Sequence, residues 1–507
     1  MLLGIDLGTS SLRAAVVDDA GHILGMGQCE YPIAVTQPGW AEQEPETWCQ
    51  AAATATRQAL ARSGLSKGDI AAIGLSGQMH GTVLAGETGR AMGPAVIWAD
   101  ARSAAQALRL NEALGLRLLS RTVGNRVAPG FMAATLAWTA EHEPERLARA
   151  RWALLPKDYL RLWLTGEAAS EPSDASSTLL FDIHLGFWSE DLCQAAGVSA
   201  RLLPPVVSST AVAGRLTRQA AEATGLAEGT PVVAGAADQA AQAIGNGIIS
   251  PDAASVTIGT GGQLLQPCLQ PQADAELRLH CFCHAVPGMW YVMAAMLSAG
   301  LSLRWLRDAV DMQGDGAYAT LDREAEAAGP GAQGLLFLPY LLGERTPYTD
   351  ADARGAFVGL RLRHHRGHLA RSVMEGVAFA LRDGLGLMSQ LIPLPGTMVG
   401  SGGGARSWLW RQILADVLGL PLTTVEGEER AVVGAAMLAG VGVGRFASFT
   451  EAREACVRYG DAATPQPGLK DTYDRLYGVY RGLYPALCQQ MHELSDIERL
   501  AVSPPGE

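Results

Sequence analysis

One pattern occurs twice in this chain, half its length apart: an apolar strand, a turn of glycine and hydroxyl residues, and a returning strand. In the first copy Leu2–Asp6 leads into Leu7-Gly8-Thr9-Ser10-Ser11 and returns through Leu12–Val17. In the second, Ala254–Ile258 leads into Gly259-Thr260-Gly261-Gly262 and returns through Gln263–Pro267. The first copy continues through the turn Asp18-Asp19-Ala20-Gly21, a strand at His22–Gln28, a helix over Pro45–Ala61 and a strand at Ile70–Leu75. The second continues less regularly, with a strand at Trp290–Met296 and a helix beginning over Leu297–Leu306. A repeated β-β-β-α-β order predicts two related α/β halves. Length agrees: 507 residues exceed the roughly 250–300 at which a single core stops growing. The boundary is expected near Gly245-Asn246-Gly247, after an alanine-rich helix at Asp238–Ile244. This gives domains at 1–247 and 248–497, then a flexible tail at 498–507, of which Ser503–Glu507 should fray. Apolar spacing over Lys470–Leu494 predicts a closing helix.

Composition narrows the class. The net charge is −12 and is spread along the chain, and the basic stretch Arg361–Arg366 is short, so neither nucleic acid nor an anionic membrane is an expected partner. No apolar run reaches the ~18 residues of a membrane span. The opening Met1-Leu2-Leu3-Gly4-Ile5-Asp6 has no basic segment and does not read as a signal peptide. Eight cysteines are few for this length and fit a reducing cytoplasm. His280-Cys281-Phe282-Cys283-His284 resembles a zinc-ligand cluster, but on a strand its histidines and cysteines face opposite sides and cannot converge on one tetrahedral ion. A half-buried strand is the expectation there. Glycine, with 59 residues, is in excess and gathers in short loops, where backbone must approach something closely.

Several of these loops carry groups suited to phosphate and sugar chemistry. Asp6 ends a buried strand, and Thr9, Ser10 and Ser11 follow in a turn whose amides can cradle phosphate while the carboxylate holds magnesium through water. Gly259, Thr260 and Gly261 repeat the arrangement, so two hairpins would clamp one nucleotide. Gly400-Ser401-Gly402-Gly403-Gly404-Ala405, between a strand at Thr397–Val399 and a helix at Ser407–Leu418, satisfies a dinucleotide fingerprint, with Glu426 beyond it. A dehydrogenase would leave both hairpins unexplained; a glycine loop lying against adenosine, with Gly403, Gly404 and Ser407 in contact, accounts for more. No Gly-x-x-x-x-Gly-Lys-Ser/Thr occurs, which excludes a P-loop enzyme. Asp238, in Gly235-Ala236-Ala237-Asp238-Gln239, starts a helix at the domain boundary, as an N-cap or as a cleft carboxylate. Ser76-Gly77-Gln78-Met79-His80-Gly81 ends a strand where open α/β sheets bind ligands. Gln78 and His80 suit sugar hydroxyls, Met79 a carbon chain, and Trp98 and Asp100 a polyol.

At these residues the chain resembles the FGGY carbohydrate kinases, and within them the xylulokinase branch. The resemblance runs nearly end to end, through Gly4–Ser10, Gly77-Gln78-Met79-His80-Gly81, Leu155-Pro156-Lys157-Asp158-Tyr159-Leu160-Arg161, Gly343-Glu344-Arg345-Thr346-Pro347, Gly355–Glu375 and Gly402–Ser407. It implies an actin-like, ribonuclease H-like pair of domains, with ATP between them and sugar mainly on the first. It further implies ATP-dependent phosphorylation of D-xylulose to the 5-phosphate, with another ketose or polyol as the alternative. Asp238 matches the catalytic base, Met79 and His80 the substrate contacts, and Asp6 the acid near Mg2+, with Asp238 also near the ion through water. Gln239 stands where the family has Asn, Ala99 replaces an Asn in Trp98-Ala99-Asp100, and Phe131–Trp138 lacks the usual Pro-Lys. The expected partners are ATP and a small ketose, with a homodimer as the candidate assembly. A non-catalytic actin-like ATPase would keep Asp6 and Thr9 without needing Gln78, His80 and Asp238.

Overall fold

The computed structural model describes residues 1–314 and 316–502. In the first sheet β1 (Leu2–Leu7), β2 (Ser11–Val17) and β3 (Ile23–Glu30) form an antiparallel meander, and β4 (Ala72–Gly77) runs parallel to β1. Adding β5 (Val212–Arg215) and β6 (Pro231–Val233) gives the order β5-β6-β4-β1-β2-β3, with β7 (Ala236–Ala237) also paired to β4. The second sheet contains β8 (Ala253–Ile258), β9 (Gly262–Cys268), β10 (His280–Cys283), β11 (Trp290–Met296), β12 (Thr397–Ser401) and β13 (Leu422–Thr424). Its order is β10-β11-β9-β8-β12-β13. The antiparallel β8-β9-β11 set and the parallel β8–β12 pair repeat β1-β2-β3 and β1–β4. The duplication read from the two hairpins is therefore present in the topology. The edge strand β10 is an addition to the second copy; a strand stands where one was expected, but it is buried on both faces and not half-buried, because the first domain packs against Cys281 and Cys283.

The helices that matter to the cleft are α1 (Pro45–Ser63), α2 (Pro156–Thr165), α3 (Pro172–Ser177), α4 (Asp238–Gly245), α5 (Arg366–Met388), α6 (Trp408–Leu418), α7 (Arg430–Gly442) and α8 (Lys470–Val502). Proline at its first position starts α1, because that N–H needs no helical partner, and Gly64 ends it at φ 68°. Its buried stripe includes Trp48, Ala52, Ala55 and Ala59. This stripe lies on β3, where a side chain at Gly27 would overlap the Ala55 carbonyl.

Helix α7 departs from the two-part division. It follows the second sheet in sequence yet packs on β1, β4 and α4. A Cβ at Gly4, Gly74 or Gly245 would overlap a carbonyl oxygen of α7, and one at Gly434 would overlap the Ala241 carbonyl of α4. Glycine thus lets α7 press onto sheet and helix at backbone distance. Val432, Val433 and Met437 share a core with Leu2, Ala241 and Ile244, and Cys456 joins it further along. A cut at 247 divides the chain but not this packing.

Element boundaries shift by a few residues elsewhere. The helix expected from Leu297 begins at Gly300, and α8 continues through 498–502, which had been assigned to a tail. Residues 503–507 lie outside the described residues. Among the described residues no helix is long and apolar enough to cross a membrane.

Candidate active site

The two hairpins are built alike. Gly8 donates its N–H to Ser11 O at 3.0 Å, and Gly259 donates to Gly261 O at 3.0 Å. Among the described residues, no protein acceptor meets the amides of Thr9, Ser10, Thr260 or Gly261. The first turn is braced from behind, where Gln43 donates to Thr9 O (2.7 Å), Trp98 to Thr9 Oγ1 (2.9 Å) and Tyr31 to Gly8 O (2.6 Å). Ser11 is no turn residue; it begins β2, pairs with Glu30 and accepts from Gln28 through Oγ. Gly261 abuts the Met296 carbonyl, so its role is to let the second turn approach β11.

Asp6, near the end of β1, and Asp238, at the start of α4, are both half-buried and close enough for the Asp6 charge to act on Asp238. Asp6 accepts from Ser76 Oγ at 2.7 Å, and burial raises its pKa although Ser76 and Arg13 oppose the shift. Burial, and then the Asp6 charge, push Asp238 up to about 7, against the N–H that Gln239 donates to it at 2.7 Å. Arg13 was missed by sequence reasoning, although the hairpin register alone pairs it with Asp6. It forms an ion pair with Glu429 at 3.0 Å, and its Nε is buried without a partner.

The Gln78–His80 loop divides its tasks. Gln78 is buried and donates to Gln43 Oε1 at 2.9 Å, so it braces the Thr9 turn through Gln43 in place of the expected sugar contact. Met79 is buried in the core. His80 adopts φ 70°, donates its Nδ1–H to the Ser177 carbonyl at 2.8 Å and lies flat on Phe131 with ring centroids 3.7 Å apart. Burial lowers its pKa to about 3, so the ring is neutral. Asp100 also departs from expectation: it is buried and accepts from the Ala41 N–H, the Arg102 backbone N–H and the Nε/Nη2 edge of the Arg102 guanidinium, which stacks on Trp40. It braces the loop that carries Trp98, which is exposed together with Ala99.

Behind this loop lies a fully buried charge cluster that was not expected from the spacing of its residues. Lys157 meets Asp158 (2.8 Å), Asp174 (3.2 Å) and Glu171 (3.7 Å), and Arg161 meets Asp158 (3.0 Å). Both cations also donate to Ala234 O, just before β7. Three carboxyls face two cations, and burial together with Asp158 and Glu171 holds Asp174 well above the carboxylate range, though Lys157 opposes it. Helix α3 joins this cluster to the site at both ends. Ser173 Oγ donates to Glu171 and accepts Ala237 N–H at 3.0 Å, next to Asp238, while Ser177 holds His80.

The second domain supplies the opposite wall. Phe282 lies 5.8 Å from the His80 ring, and Tyr291 sits in the field of Asp238 with its buried hydroxyl unpartnered. Beside the second hairpin a cavity of about 630 Å3 is lined by Gly259, Thr260, Gly403, Gly404, Ser407 and Trp410. Arg304, Tyr318 and Asp322 also line it and were not foreseen. Gly402, at φ 80°, and Gly404 bring the glycine loop against Ile258 beside the hairpin, and Ser407 caps α6 through Trp410 N–H at 3.1 Å. The fingerprint-like glycines therefore shape a pocket that opens beside the second hairpin.

Known proteins resemble this chain over most of its length. The N-terminal domain of the FGGY family of carbohydrate kinases matches residues 1–245, and its C-terminal domain matches residues 254–443. A xylulose kinase of Bacillus subtilis is 37% identical, covering 95% of this chain and 96% of the relative. One from Escherichia coli is 38% identical, covering 87% and 89% respectively. The crystal structure of xylulose kinase from Rhodospirillum rubrum superposes with a TM-score of 0.90 at 31% identity, over 97% of this chain and 99% of that one.

Proposed function

This chain belongs to the FGGY family of carbohydrate kinases, and from that premise we propose that it transfers the γ-phosphoryl group of ATP to O5 of D-xylulose, forming D-xylulose 5-phosphate. The observation that carries the mechanism is a buried carboxyl, Asp238, pushed up to about 7 by burial and by the nearby Asp6, which itself leads into a hairpin whose amides are free. A base is most effective with a pKa near the working pH, and Asp238 would accept the proton of the attacking hydroxyl while fixing its direction. Phosphoryl transfer has a loose transition state, so positioning and charge stabilisation dominate. The amides of Thr9, Ser10, Thr260 and Gly261 would bind phosphate oxygens, and Arg13 adds a cation on the Asp6 side. His80 would accept from a sugar hydroxyl, and Trp98 would form a lid against the carbon chain.

The acid pair also fits Mg2+. Asp6 and Asp238 are both pushed toward protonation, the state expected of carboxylates that lack a counter-charge. No third ligating side chain joins them among the described residues, which suits an ion that keeps water and phosphate oxygens in its shell. Bound there, Mg2+ would neutralise charge on the transferring group.

Gln239 and Ala99 are the positions that favour weighing a second ketose, because each alters an amide at the sugar end. A coupled ADP-release assay over pentuloses, hexuloses and polyols tests the assignment. Faster kcat/KM for ribulose, gluconate or glycerol than for xylulose would overturn the substrate and leave the kinase standing.

A further inference from the structure

Strand β10 is the edge addition to the second sheet, and its alternation separates two functions. Cys281 and Cys283 point into a small core with Ala175, Phe181 and Ile183 of the first domain. His280 and Phe282 therefore point to the other side. There the Phe282 ring lies 5.8 Å from His80 and 5.9 Å from His280, so one aromatic ring carries both imidazoles, one from each domain.

Hydrogen bonding fixes the tautomers of both rings. His80 Nδ1 faces the Ser177 carbonyl, which can only accept, so Nδ1 bears the proton and Nε2 is a bare acceptor. His280 Nδ1 faces Asn125 Oδ1 at 3.0 Å. The Asn125 amide orientation is set by its Nδ2, which donates to Val123 O at 2.9 Å and Cys281 O at 2.6 Å. Its Oδ1 must accept, so His280 too is protonated on Nδ1 and bare on Nε2. Among the described residues neither Nε2 has a protein partner, and both rings are half-buried. Burial and the nearby Arg345 charge keep His280 neutral.

We infer that His280 is a second sugar-hydroxyl acceptor, set opposite His80 from the other domain, so that the two imidazoles together accept hydrogen bonds from two hydroxyls of one ketose. The assignment rests on the kinase reading above and names part of its sugar site. Two acceptors on rigid mounts select a ligand with two suitably spaced hydroxyl donors. Because one acceptor belongs to each domain, the same hydroxyls also tie the domains together.

The experiment compares wild type with His280→Phe, using xylulose and its monodeoxy analogues. Losing one neutral hydrogen bond should raise KM for xylulose roughly 3–10-fold, with kcat and KM for ATP changed less than about twofold. One deoxy analogue should lose affinity relative to xylulose in wild type and lose nothing further in the variant. If the variant fails to fold, His280→Gln, which keeps a polar group beside Asn125, is judged by the same loss of discrimination. An unchanged xylulose KM, or a raised KM with wild-type discrimination among the analogues, overturns the assignment. Absence of wild-type turnover of any ketose overturns the functional reading and this assignment with it, whereas normal wild-type turnover isolates a failure at His280.

Discussion

Replacing Asp238 by Asn is expected to abolish turnover and yet stabilise the ligand-free protein, by an amount that grows with pH. The Asp238 carboxyl has a folded-state pKa of about 7, against 3.8 when unperturbed, because burial and Asp6 disfavour its charge. Between those values the folded protein holds a proton that the unfolded chain has released. The favourable contribution is complete below pH 3.8 and is lost as pH rises through about 7. The slope is about 1.4 kcal/mol per pH unit, giving a ceiling of about 4 kcal/mol by pH 8. Asparagine removes the titration but keeps size and an acceptor for the Gln239 N–H. Urea unfolding of both proteins in EDTA at pH 5, 6, 7 and 8 measures the gap. The variant should gain on wild type across the series, then hold level, while kcat falls by about 10²–10⁴ or more. A gap independent of pH, or a variant less stable at pH 8, would refute the argument that Asp238 is strained by its own charge.

Four further outcomes follow from the geometry. His80→Ala should raise KM for sugar while leaving KM for ATP nearly unchanged in steady-state kinetics; an equal change in both would place it outside the sugar site. Ser173→Ala leaves the Ala237 N–H without its acceptor, worth about 1–3 kcal/mol, so kcat should drop about tenfold with little change in sugar KM. Unaltered kcat would remove α3 from the positioning of Asp238. Gly434→Ala forces a methyl into the Ala241 carbonyl, and calorimetry should show a loss of at least about 1–3 kcal/mol. Small-angle scattering should show a smaller radius of gyration with xylulose and a non-hydrolysable ATP analogue than without ligand, and an equal radius would mean a preformed closed cleft.

How far the sequence could be read depended on the range of the interaction. The hairpins, the helix starting at Asp238 and the glycine loop before α6 are local, each set by turn chemistry beside an apolar run, and each stands within a few residues of where it was expected. Arg13 was within reach too, since a turn closing between Gly8 and Ser11 forces it opposite Asp6. The braces were not. Gln78 and Asp100 are polar residues in loops near a cleft, and only long-range partners, Gln43 and Ala41, reveal them as struts. Lys157, Asp158 and Arg161 have the spacing of an ordinary charged helix; their burial depends on Glu171, Asp174 and the Ala234 carbonyl, brought together only by the tertiary fold.

The glycine-lined bed of α7 sets an order of events during synthesis. The strands it covers, β1 and β4, leave the ribosome early, whereas Arg430–Gly442 comes more than 350 residues after β4, as Ala72–Gly77 lies near the start of the chain. At about 5–20 residues per second, that interval is tens of seconds in which the bed has no helix on it. Gly4, Gly74 and Gly245 offer no side chains of their own to fill the space, so the emerging first sheet shows bare backbone and apolar neighbours. A fragment ending at 247 should therefore be prone to aggregation however well its sheet forms, and adding the α7 segment as a separate peptide should rescue it. The residues needed to finish the first-made half of this enzyme are among the last to be translated.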